Sequence, residues 1–417
     1  TFESINLKVT TNSWNLFGLM PLDKLEKASD KAISVDMAPD ELAAILFTSG
    51  GTGRPKGVMY SHKIFSEQTR ILQELFSLTE KDVDLPGFPL FSLFTLCMGM
   101  TSCIPDMDPS KPSKADPLKL LANIKDNEAT FVAGSPSIWK ALATHCVSNN
   151  IQLPSVKYLV MFGAPIRNEV HEQFKSILPN GSTYTPYGAT ESLPVANISG
   201  KTVLEDTAKL TEKGEGTCVG FPAPGIDIKI AKVTDDIIES IEFVENLDAY
   251  EIGEILVRGD VVTKSYYESP IETARAKIRD GERFWHRMGD MGYLDKQGRL
   301  WFCGRKTHRA QTLKGLVCSV NTEAIFNSHK GVNKAALVAI GDKGNQKVSM
   351  VIERNKIGKK LKKNELKDEL MALAKTSSKT SEIESIHFHD NFPVDIRHNI
   401  KIDRLKLKDL ASRGELQ

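Results

Sequence analysis

Glycines, hydroxyl residues and cations are concentrated at residues 48–58, which read Thr-Ser-Gly-Gly-Thr-Gly-Arg-Pro-Lys-Gly-Val. Glycine lets the backbone adopt positive φ and approach a ligand closely, and successive free N–H groups in such a loop form a concave anion site. Thr48, Ser49 and Thr52 add hydroxyl donors, and Lys56 adds a mobile positive charge. This composition predicts a loop that binds phosphate groups.

The order of residues differs from that of the Walker phosphate loop, in which Gly-Lys is followed by Ser or Thr. Here Lys56 is followed by Gly57 and Val58, and Pro55 stands where the last glycine of the Walker loop should be. Gly-rich turns are common between strands and helices, so the glycines alone fit a flexible surface turn equally well. Only the full string favours a phosphate site.

A second candidate site lies at residues 184–191, which read Tyr-Thr-Pro-Tyr-Gly-Ala-Thr-Glu. An aromatic ring beside a glycine turn, here Tyr187 beside Gly188, can stack on a nucleotide base. A carboxylate at the end of the turn, here Glu191, can hold Mg²⁺, which takes one or two carboxylates together with phosphate oxygens. By itself the string also fits an ordinary turn at the end of a strand.

Two further residues are candidates for chemistry. Asp290 follows Met288 and Gly289, and its carboxylate can either accept two ribose hydroxyls or cap backbone N–H groups of the turn. Lys401 lies near the C-terminus, where a lone lysine is ordinarily a surface residue. Neither position can be assigned a function from its local composition alone.

The composition is that of an ordinary globular protein. A chain of 417 residues is long enough for roughly two or three domains, and its 41% hydrophobic and 26% charged residues are typical values. The formal charge of +1 gives no indication of a nucleic-acid partner. The six cysteines lack metal-site spacing, which predicts buried, reduced thiols and a cytoplasmic location. There is no signal-peptide pattern at the start, which is also not Met.

Strands and helices are predicted to alternate along the part of the chain that must position these residues. An apolar run at 42–47 predicts a buried strand that leads into the loop, and residues 62–78 have helical apolar spacing. Strands at 129–133 and 156–162 alternate with helices, which predicts an α/β fold with a largely parallel sheet. From residue 214 onward, short strands separated by Gly and Asp turns predict a β-rich part.

The motifs together resemble those of the adenylate-forming superfamily, which includes acyl-CoA synthetases, peptide-synthetase adenylation domains and luciferases. The resemblance implies a multi-domain α/β enzyme. Its large domain would span residues 1–305, with an α/β part at 1–213 and a β-rich subdomain at 214–305. A small α+β lid domain would span 306–417. It also implies that the N-terminal part of the large domain is absent from this chain.

The resemblance assigns roles to individual residues. Tyr187 would stack near adenine, Thr190 would meet the α-phosphate, Glu191 would coordinate Mg²⁺, and Lys401 would be the catalytic lysine. The catalytic set is therefore Lys401, Thr190 and Glu191. The residues implied to bind ATP are Thr48, Ser49, Gly50, Gly51, Thr52, Gly53, Lys56, Gly163, Ala164, Pro165, Tyr187, Gly188, Asp290 and Arg305.

Several positions depart from the superfamily pattern. Gly51 replaces a Ser or Thr of the loop, Met288 replaces a Thr, and Ile400 replaces the glycine before the catalytic lysine. Thr307 stands where the hinge between the large and small domains usually carries an acid. The last departure puts in question the domain rotation that a thiol acceptor requires.

Within the superfamily, the strings at 104–109, 285–290, 300–306 and 395–399 look most like the β-lactone synthetases of bacterial long-chain olefin biosynthesis. That branch implies ATP and Mg²⁺, a long-chain β-hydroxy acid as substrate, lactone closure after adenylation, and partner enzymes of hydrocarbon biosynthesis. The segment 88–94 and Met98 are candidates for the lining of an acyl pocket, although core packing explains them equally well.

Two alternatives remain open. The first is a fatty acyl-CoA ligase or a peptide-synthetase-like adenylation enzyme, which performs the same first step with a thiol acceptor. The second is a non-catalytic protein that binds a nucleotide or an acyl group on the same scaffold. Retention of Glu191, Asp290 and Lys401 argues against the second alternative.

Overall fold

The computed structural model describes residues 8–11, 19–26, 34–48, 55–163, 166–393 and 402–416. The chain divides into two units, residues 1–41 and residues 42–417. In the first unit, strand β1 (Val9–Thr10) pairs in parallel with strand β2 (Met20–Pro21), and helix α1 (Leu22–Glu26) follows directly.

The second unit contains the remaining elements. The strands before residue 306 are β3 (Leu42–Phe47), β4 (Gly57–Ser61), β5 (Val83–Pro86), β6 (Thr101–Ser102), β7 (Phe131–Gly134), β8 (Tyr158–Met161), β9 (Ser182–Ala189), β10 (Ser192–Ser199), β11 (Thr217–Pro222), β12 (Asp227–Ala231), β13 (Gly253–Arg258), β14 (Lys277–Asp280), β15 (Arg283–Leu294) and β16 (Leu300–Arg305). The helices of this region are α2 (His62–Phe76), α3 (Ser92–Cys97), α4 (Pro117–Asp126), α5 (Pro136–Ser148), α6 (Asn168–Ile177), α7 (Gly200–Thr202), α8 (Ala208–Glu212) and α9 (Pro270–Ala276).

Within the described ranges, twelve of these strands form one sheet, in the order β12-β13-β15-β16-β11-β10-β9-β8-β7-β5-β6, with β14 paired to β15. Strands β5 to β9 pair in parallel with their neighbours. From β10 onward, each pairing is antiparallel. The predicted α/β fold with a later β-rich part is therefore confirmed.

Helices α4, α5 and α6 cover the parallel half of the sheet. Helix α5 begins where the Ser135 side chain accepts a hydrogen bond from the Ser137 N–H and where proline occupies the first turn, both of which favour a helix start. Its inner face buries Ile138, Trp139 and Leu142 in the largest core cluster. Burial of each such side chain contributes about 1.5–3 kcal/mol, so the parallel half rests on a continuous apolar layer.

Helix α2 packs across the sheet near the junction of its two halves. Ser61 caps its N-terminus, and its C-cap residue Ser77 is left-handed, with φ of 48°. Its buried stripe contains Ile64, Gln68 and Ile71, which are spaced as one helix face. A glutamine therefore occupies a position on α2 where an apolar residue is expected.

The C-terminal region builds its own sheet. Its elements are β17 (Ala310–Thr312), β18 (Gly315–Val317), α10 (Ser319–Asn327), β19 (Val332–Ile340), β20 (Lys347–Arg354), α11 (Lys363–Ala374), β21 (Ile383–Phe388) and α12 (Arg404–Ser412). Strands β19, β20 and β21 form a three-stranded sheet. Ala335 and Leu337 face one apolar cluster while Ala336 and Val338 face another, as strand alternation requires. Both faces of this sheet are therefore covered.

Two predictions from the sequence are wrong in detail. Strand β3 forms as predicted but is not buried, since it pairs only with β4 among the described residues and leaves 69% of Phe47 exposed. The cysteines are free thiols as predicted, but Cys97 is exposed. The divisions at residues 213 and 305 stay predictions. Among the described helices, none is both long and apolar enough to cross a bilayer.

Candidate functional site

An open cleft of 3680 Å³ lies in the unit formed by residues 42–417. Its walls come from strands of both halves of the large sheet and from α10 and α12. The predicted site residues that line it are Thr48, Lys56, Gly163, Tyr187, Gly188, Thr190, Glu191, Asp290 and Arg305. Ser49, Gly50, Gly51, Thr52, Gly53, Ala164, Pro165 and Lys401 lie outside the described residues.

The parallel strands explain why residues far apart in the sequence meet here. Strand β8 ends at Met161, two residues before Gly163, and strand β9, which contains Gly188, lies beside it in the same direction. The carboxyl ends of parallel strands meet at one edge of the sheet, where ligands of open α/β sheets bind. Gly163 has a φ of 89° there, a conformation that glycine adopts without strain.

Tyr187, Asp290 and Arg305 form a polar triad at this edge. The Tyr187 hydroxyl donates a 2.6 Å hydrogen bond to Asp290 Oδ2, and Arg305 Nη1 lies 2.9 Å from Asp290 Oδ1. Asp290 faces Arg305 directly across the β15–β16 ladder. The carboxylate is thus fixed by one residue from β9 and one from β16.

The environment of Asp290 determines what its carboxylate can accept. Burial raises its pKa, and the charge of Arg305 together with the Tyr187 hydrogen bond opposes that rise. Oδ1 accepts no well-aligned hydrogen bond from Arg305 or from any other described residue. Because the Arg305 side chain is 49% exposed, it can turn aside and let a ligand hydroxyl reach Asp290. The pair suits recognition of a vicinal diol such as ribose.

Hydrogen bonds to the side chain and to the backbone of Glu191 hold this residue in place. The Tyr266 hydroxyl donates a 2.7 Å hydrogen bond to its Oε1, and its backbone carbonyl accepts hydrogen bonds from the Thr263 N–H at 3.0 Å and the Thr263 hydroxyl at 3.2 Å. No group of three or more His, Cys, Asp or Glu within the described ranges could hold a metal by itself. A single oriented carboxylate fits Mg²⁺ that completes its shell with phosphate oxygens and water.

Lys56 is paired with protein groups. Its Nζ lies 2.8 Å from Glu272 Oε2 and 5.1 Å from the centre of the Tyr266 ring. The base of the predicted phosphate loop is closed by a 3.0 Å hydrogen bond from the Thr48 N–H to the Lys56 carbonyl. A phosphate group that reaches Lys56 therefore competes with the Glu272 carboxylate.

Sequence reasoning missed a polar layer beneath this site. The Tyr60 hydroxyl donates a 2.5 Å hydrogen bond to the Thr190 carbonyl. Lys277, which is only 6% exposed, donates a 3.3 Å hydrogen bond to the Thr263 hydroxyl. Burial lowers the pKa of Lys277 to about 7, and the charge of Glu191 opposes that shift. No local spacing could have revealed these residues, since their partners are remote in the sequence.

The C-terminal residues around the predicted catalytic lysine reach the same cleft. Pro393 and Ile402, which lie on either side of residues 394–401, both line it. Arg404 is ion-paired with Glu323, with 2.8 Å between Nη2 and Oε2. Glu323 Oε1 also accepts a 2.8 Å hydrogen bond from the Leu337 N–H, so α10 and α12 are joined at the cleft wall.

The segment around the predicted hinge at Thr307 is tied to the large sheet by charged residues. Glu254 Oε2 lies 2.9 Å from Lys306 Nζ and 2.6 Å from Arg287 Nη2. Beyond Thr307, Arg309 is ion-paired with Asp235 at 3.0 Å, and Asp235 also pairs with Lys343 of the C-terminal region at 2.8 Å. Cationic residues on both sides of the hinge thus converge on carboxylates of the β-rich part.

A protein family and several known proteins are similar in sequence to this chain. The family model described as "AMP-binding enzyme" matches residues 5–267. An olefin beta-lactone synthetase of Xanthomonas campestris pv. campestris is 41% identical over 413 residues, which is 97% of this chain and 73% of that protein. An olefin beta-lactone synthetase of Stenotrophomonas maltophilia is 42% identical over 404 residues, which is 95% of this chain and 72% of that protein.

A solved structure has the same fold. The O-succinylbenzoate coenzyme A synthetase of Bacillus subtilis, in complex with ATP and magnesium ion, superimposes with a TM-score of 0.73 at 23% identity, over 94% of this chain and 75% of that one. The predicted adenylate-forming fold is thereby confirmed. Because the family model covers more than half of the residues and both relatives extend over nearly the whole sequence, this chain belongs to the AMP-binding enzyme family.

Proposed function

We propose that this AMP-forming ligase activates a long-chain β-hydroxy acid and then closes the acyl-adenylate to a β-lactone. The observation that carries the proposal is the identity of 41% and 42% to two olefin beta-lactone synthetases over 97% and 95% of this chain. As in other adenylate-forming enzymes, ATP with Mg²⁺ is the energy source, and a carboxylic acid is the substrate.

The first half-reaction is adenylation. A carboxylate oxygen of the substrate attacks the α-phosphorus of ATP, and pyrophosphate leaves. We assign Thr190 to the α-phosphate and Lys401 to the developing negative charge between the carboxylate and that phosphate. A preorganised donor of this kind typically lowers the activation free energy by about 3–4 kcal/mol. Glu191 would hold Mg²⁺, which neutralises charge on the phosphates when it is bound.

The remaining predicted residues would position the nucleotide. Tyr187 and Gly163 lie where adenine would bind, and Asp290 with Arg305 would take the ribose. The phosphates would lie against the loop that begins at Thr48 and closes at Lys56. This assignment agrees with the placement of these residues along one cleft, and it accounts for a buried carboxylate that keeps spare acceptor capacity.

A largely apolar cavity of 80 Å³ beside the cleft is the candidate acyl site. This acyl slot lies under α2 and crosses five neighbouring strands, from β10 through β9, β8 and β7 to β5. Its lining is Gln68, Leu72, Leu78, Asp84, Phe91, Phe94, Thr95, Met98, Phe131, Ala133, Val160, Phe162, Pro186, Leu193 and Pro194. Of the predicted segment, Phe91, Phe94 and Met98 belong to the slot, whereas Phe88 is exposed on the cleft side.

Six residues line both the slot and the cleft, and we place the entrance to the slot among them. These residues, called the slot mouth, are Gln68, Phe91, Phe94, Phe162, Pro186 and Leu193. The slot accommodates a stretch of hydrocarbon, and the mouth lets a longer chain continue into the cleft. A carboxylate at the mouth would lie on the side of the cleft that holds Thr190.

The second half-reaction would be an internal displacement. The β-hydroxyl oxygen attacks the carbonyl carbon of the acyl-adenylate, the bond to AMP breaks, and the hydroxyl proton is released. An intramolecular nucleophile has a high effective concentration, so no acceptor thiol has to bind. The absence of an acid at Thr307 agrees with an enzyme that needs no thiol-dependent domain rotation. The cytoplasmic location and the partner enzymes stay predictions.

Product analysis tests the proposal. The full-length protein is incubated with ATP, Mg²⁺ and a long-chain β-hydroxy acid, with and without coenzyme A, and the extracts are examined by NMR. We expect pyrophosphate and a four-membered lactone in both mixtures at similar yield. An acyl-CoA product that forms only when coenzyme A is present would support the ligase alternative instead.

A further inference from the structure

We propose that Gln68 selects hydroxylated substrates, because its amide oxygen accepts a hydrogen bond from the β-hydroxyl of the acid at the mouth of the acyl slot. The inference rests on the proposed function for the identity of the substrate. It adds a specificity residue on α2, outside the motifs that bind the nucleotide.

The position of Gln68 is unusual for a glutamine. It lies on the buried stripe of α2 between Ile64 and Ile71 and is 4% exposed. A polar group in such a place is unfavourable unless hydrogen bonds replace the water that it has lost. A core position on this helix would be filled more simply by an apolar residue, so the amide needs an explanation.

The hydrogen bonds of Gln68 fix the direction of its amide group. Nε2 donates a 2.9 Å hydrogen bond to the Leu193 carbonyl. Since a carbonyl oxygen can only accept, the NH₂ end of the amide must face Leu193. The oxygen therefore points elsewhere, and Oε1 is buried without a hydrogen-bond partner among the described residues.

The neighbouring tyrosine cannot satisfy that oxygen. The Tyr60 hydroxyl already donates its proton to the Thr190 carbonyl at 2.5 Å. Burial raises the pKa of Tyr60 to about 12, and the adjoining Gln68 amide opposes that rise. Tyr60 thus stays protonated and committed to Thr190, so that within the described ranges Gln68 Oε1 is left as an acceptor open to a ligand or water.

The same contacts place this acceptor near the reacting groups. Gln68 lies at the slot mouth, and Tyr60 joins it to Thr190, the residue assigned to the α-phosphate. The β-carbon is the second carbon beyond the carboxylate, so its hydroxyl must lie near the mouth when the carboxylate faces Thr190. A hydrogen bond to Oε1 would also orient the hydroxyl oxygen before it attacks the acyl carbon.

The other polar residues of the slot lie too far away for this role. Asp84 is on β5, whereas the Leu193 partner of Gln68 is on β10, four strand spacings across the sheet. That separation is roughly 19 Å between strand axes. Thr95 lies beside Asp84 and donates a 2.6 Å hydrogen bond to its Oδ2. Among the described polar residues of the slot, Gln68 is therefore the one at the slot mouth, and its Oε1 is unpaired.

Substrate discrimination during adenylation tests the inference. Pyrophosphate release is measured with a long-chain 3-hydroxy acid and with the unsubstituted acid of equal length. We expect the wild-type kcat/KM to favour the hydroxy acid by roughly tenfold or more, since a site with a buried acceptor disfavours a ligand that leaves it unpaired. In Gln68→Met the ratio should fall close to one, because the variant loses kcat/KM mainly for the hydroxy acid.

The control is Gln73→Met, which makes the same change on the exposed face of α2 and should leave the ratio unchanged. A wild-type enzyme that does not distinguish the two acids would overturn the inference without any variant. So would a Gln68→Met enzyme that keeps the wild-type ratio. If Gln68→Met is unstable, Gln68→Asn, which withdraws the amide oxygen from the mouth, is compared in the same way.

The outcomes separate this inference from the proposed function. A lactone product with an unchanged ratio in Gln68→Met contradicts the inference and leaves the proposed function intact. A coenzyme A thioester as the product, together with a ratio that depends on Gln68, contradicts the proposed function and leaves hydroxyl recognition by Gln68 intact.

Discussion

The hydroxyl of Tyr187 donates a 2.6 Å hydrogen bond to the carboxylate of Asp290, 103 residues further along the chain. The bond links β9, the last parallel strand of the large sheet, to β15 in its antiparallel part. It fixes the distance between the position assigned to adenine and the position assigned to ribose. The proposed nucleotide site therefore lies across the junction of the two halves of the sheet.

Replacing Tyr187 by Phe keeps the ring and removes this hydrogen bond. Because the bond opposes the effect of burial on Asp290, the pKa of Asp290 should rise further in the variant. On acidification Asp290 would then become protonated at a higher pH than in the wild type, and it would lose the charge that we propose accepts ribose hydroxyls. We expect AMP affinity near neutral pH to fall by roughly tenfold. Calorimetric titrations across a pH series should show the loss of binding begin at higher pH in Tyr187→Phe than in the wild type.

The role assigned to Lys401 predicts a kinetic effect without a binding effect. Lys401→Ala should slow pyrophosphate formation by roughly 10²–10³-fold, because the lysine acts on charge that develops in the transition state. ATP should still bind. The exposed Lys367→Ala serves as the control in the same C-terminal region. A Lys401→Ala enzyme that adenylates at the wild-type rate would remove this lysine from the mechanism.

Tyr266 is expected to orient the Glu191 carboxylate, which we propose to hold Mg²⁺. Tyr266→Phe keeps the ring in its apolar cluster with Val58 and Ile64 and removes the 2.7 Å hydrogen bond to Glu191. Loss of such a supporting partner typically weakens metal binding by roughly tenfold or more. The Mg²⁺ concentration for half-maximal pyrophosphate release at saturating ATP should rise accordingly. An unchanged requirement for Mg²⁺ would show that Tyr266 does not act through Glu191.

Glu254 should be important for stability because it pairs with two cations. Its side chain is 4% exposed and contacts Arg287, at 5% exposure, and Lys306, at 12%. Removing one partner of a buried ion pair costs about 3–5 kcal/mol, and we expect a loss of that size in urea unfolding of Glu254→Gln. The matched control is Glu245→Gln, which breaks an exposed pair with Lys232 and should cost less than about 1 kcal/mol. Similar losses in the two variants would contradict the prediction.

Asp84 should make stability depend on pH. Burial raises its pKa to about 6, from a normal value of 3.8. The folded protein therefore binds this proton more tightly than the unfolded chain, and stability falls as the pH rises from about 4 to about 6. Asp84→Asn carries no charge at any pH and therefore avoids this loss. Its free energy of unfolding relative to that of the wild type should increase by on the order of 3 kcal/mol between pH 4 and pH 7.5. Urea unfolding at both pH values measures this gain, and a pH-independent difference would contradict the assignment.

The amino-acid sequence by itself was sufficient for the fold class and for the family. The reason is that the features on which both depend are set by residues that lie close together in the sequence. Strands, helices and turns follow from apolar spacing and from Gly and Pro. The predicted phosphate loop at 48–58 and the turn at 184–191 are contiguous strings, so their chemistry can be proposed without a structure. The alternation of these elements then predicted a largely parallel sheet followed by a β-rich part, and only the structure showed that the pairing in the later part is antiparallel.

Only the tertiary structure decided which side chains surround those strings. Tyr60 reaches Thr190 across 130 positions of the chain, and Gln68 reaches Leu193 across 125. Gln68 has the spacing of a core residue, and nothing near it in the sequence marks its unpaired oxygen. The exposure of β3 was also unpredictable, because an apolar run is buried only where another layer covers it. Contacts and burial of this kind depend on how the helices pack across the sheet, and local spacing does not encode that packing.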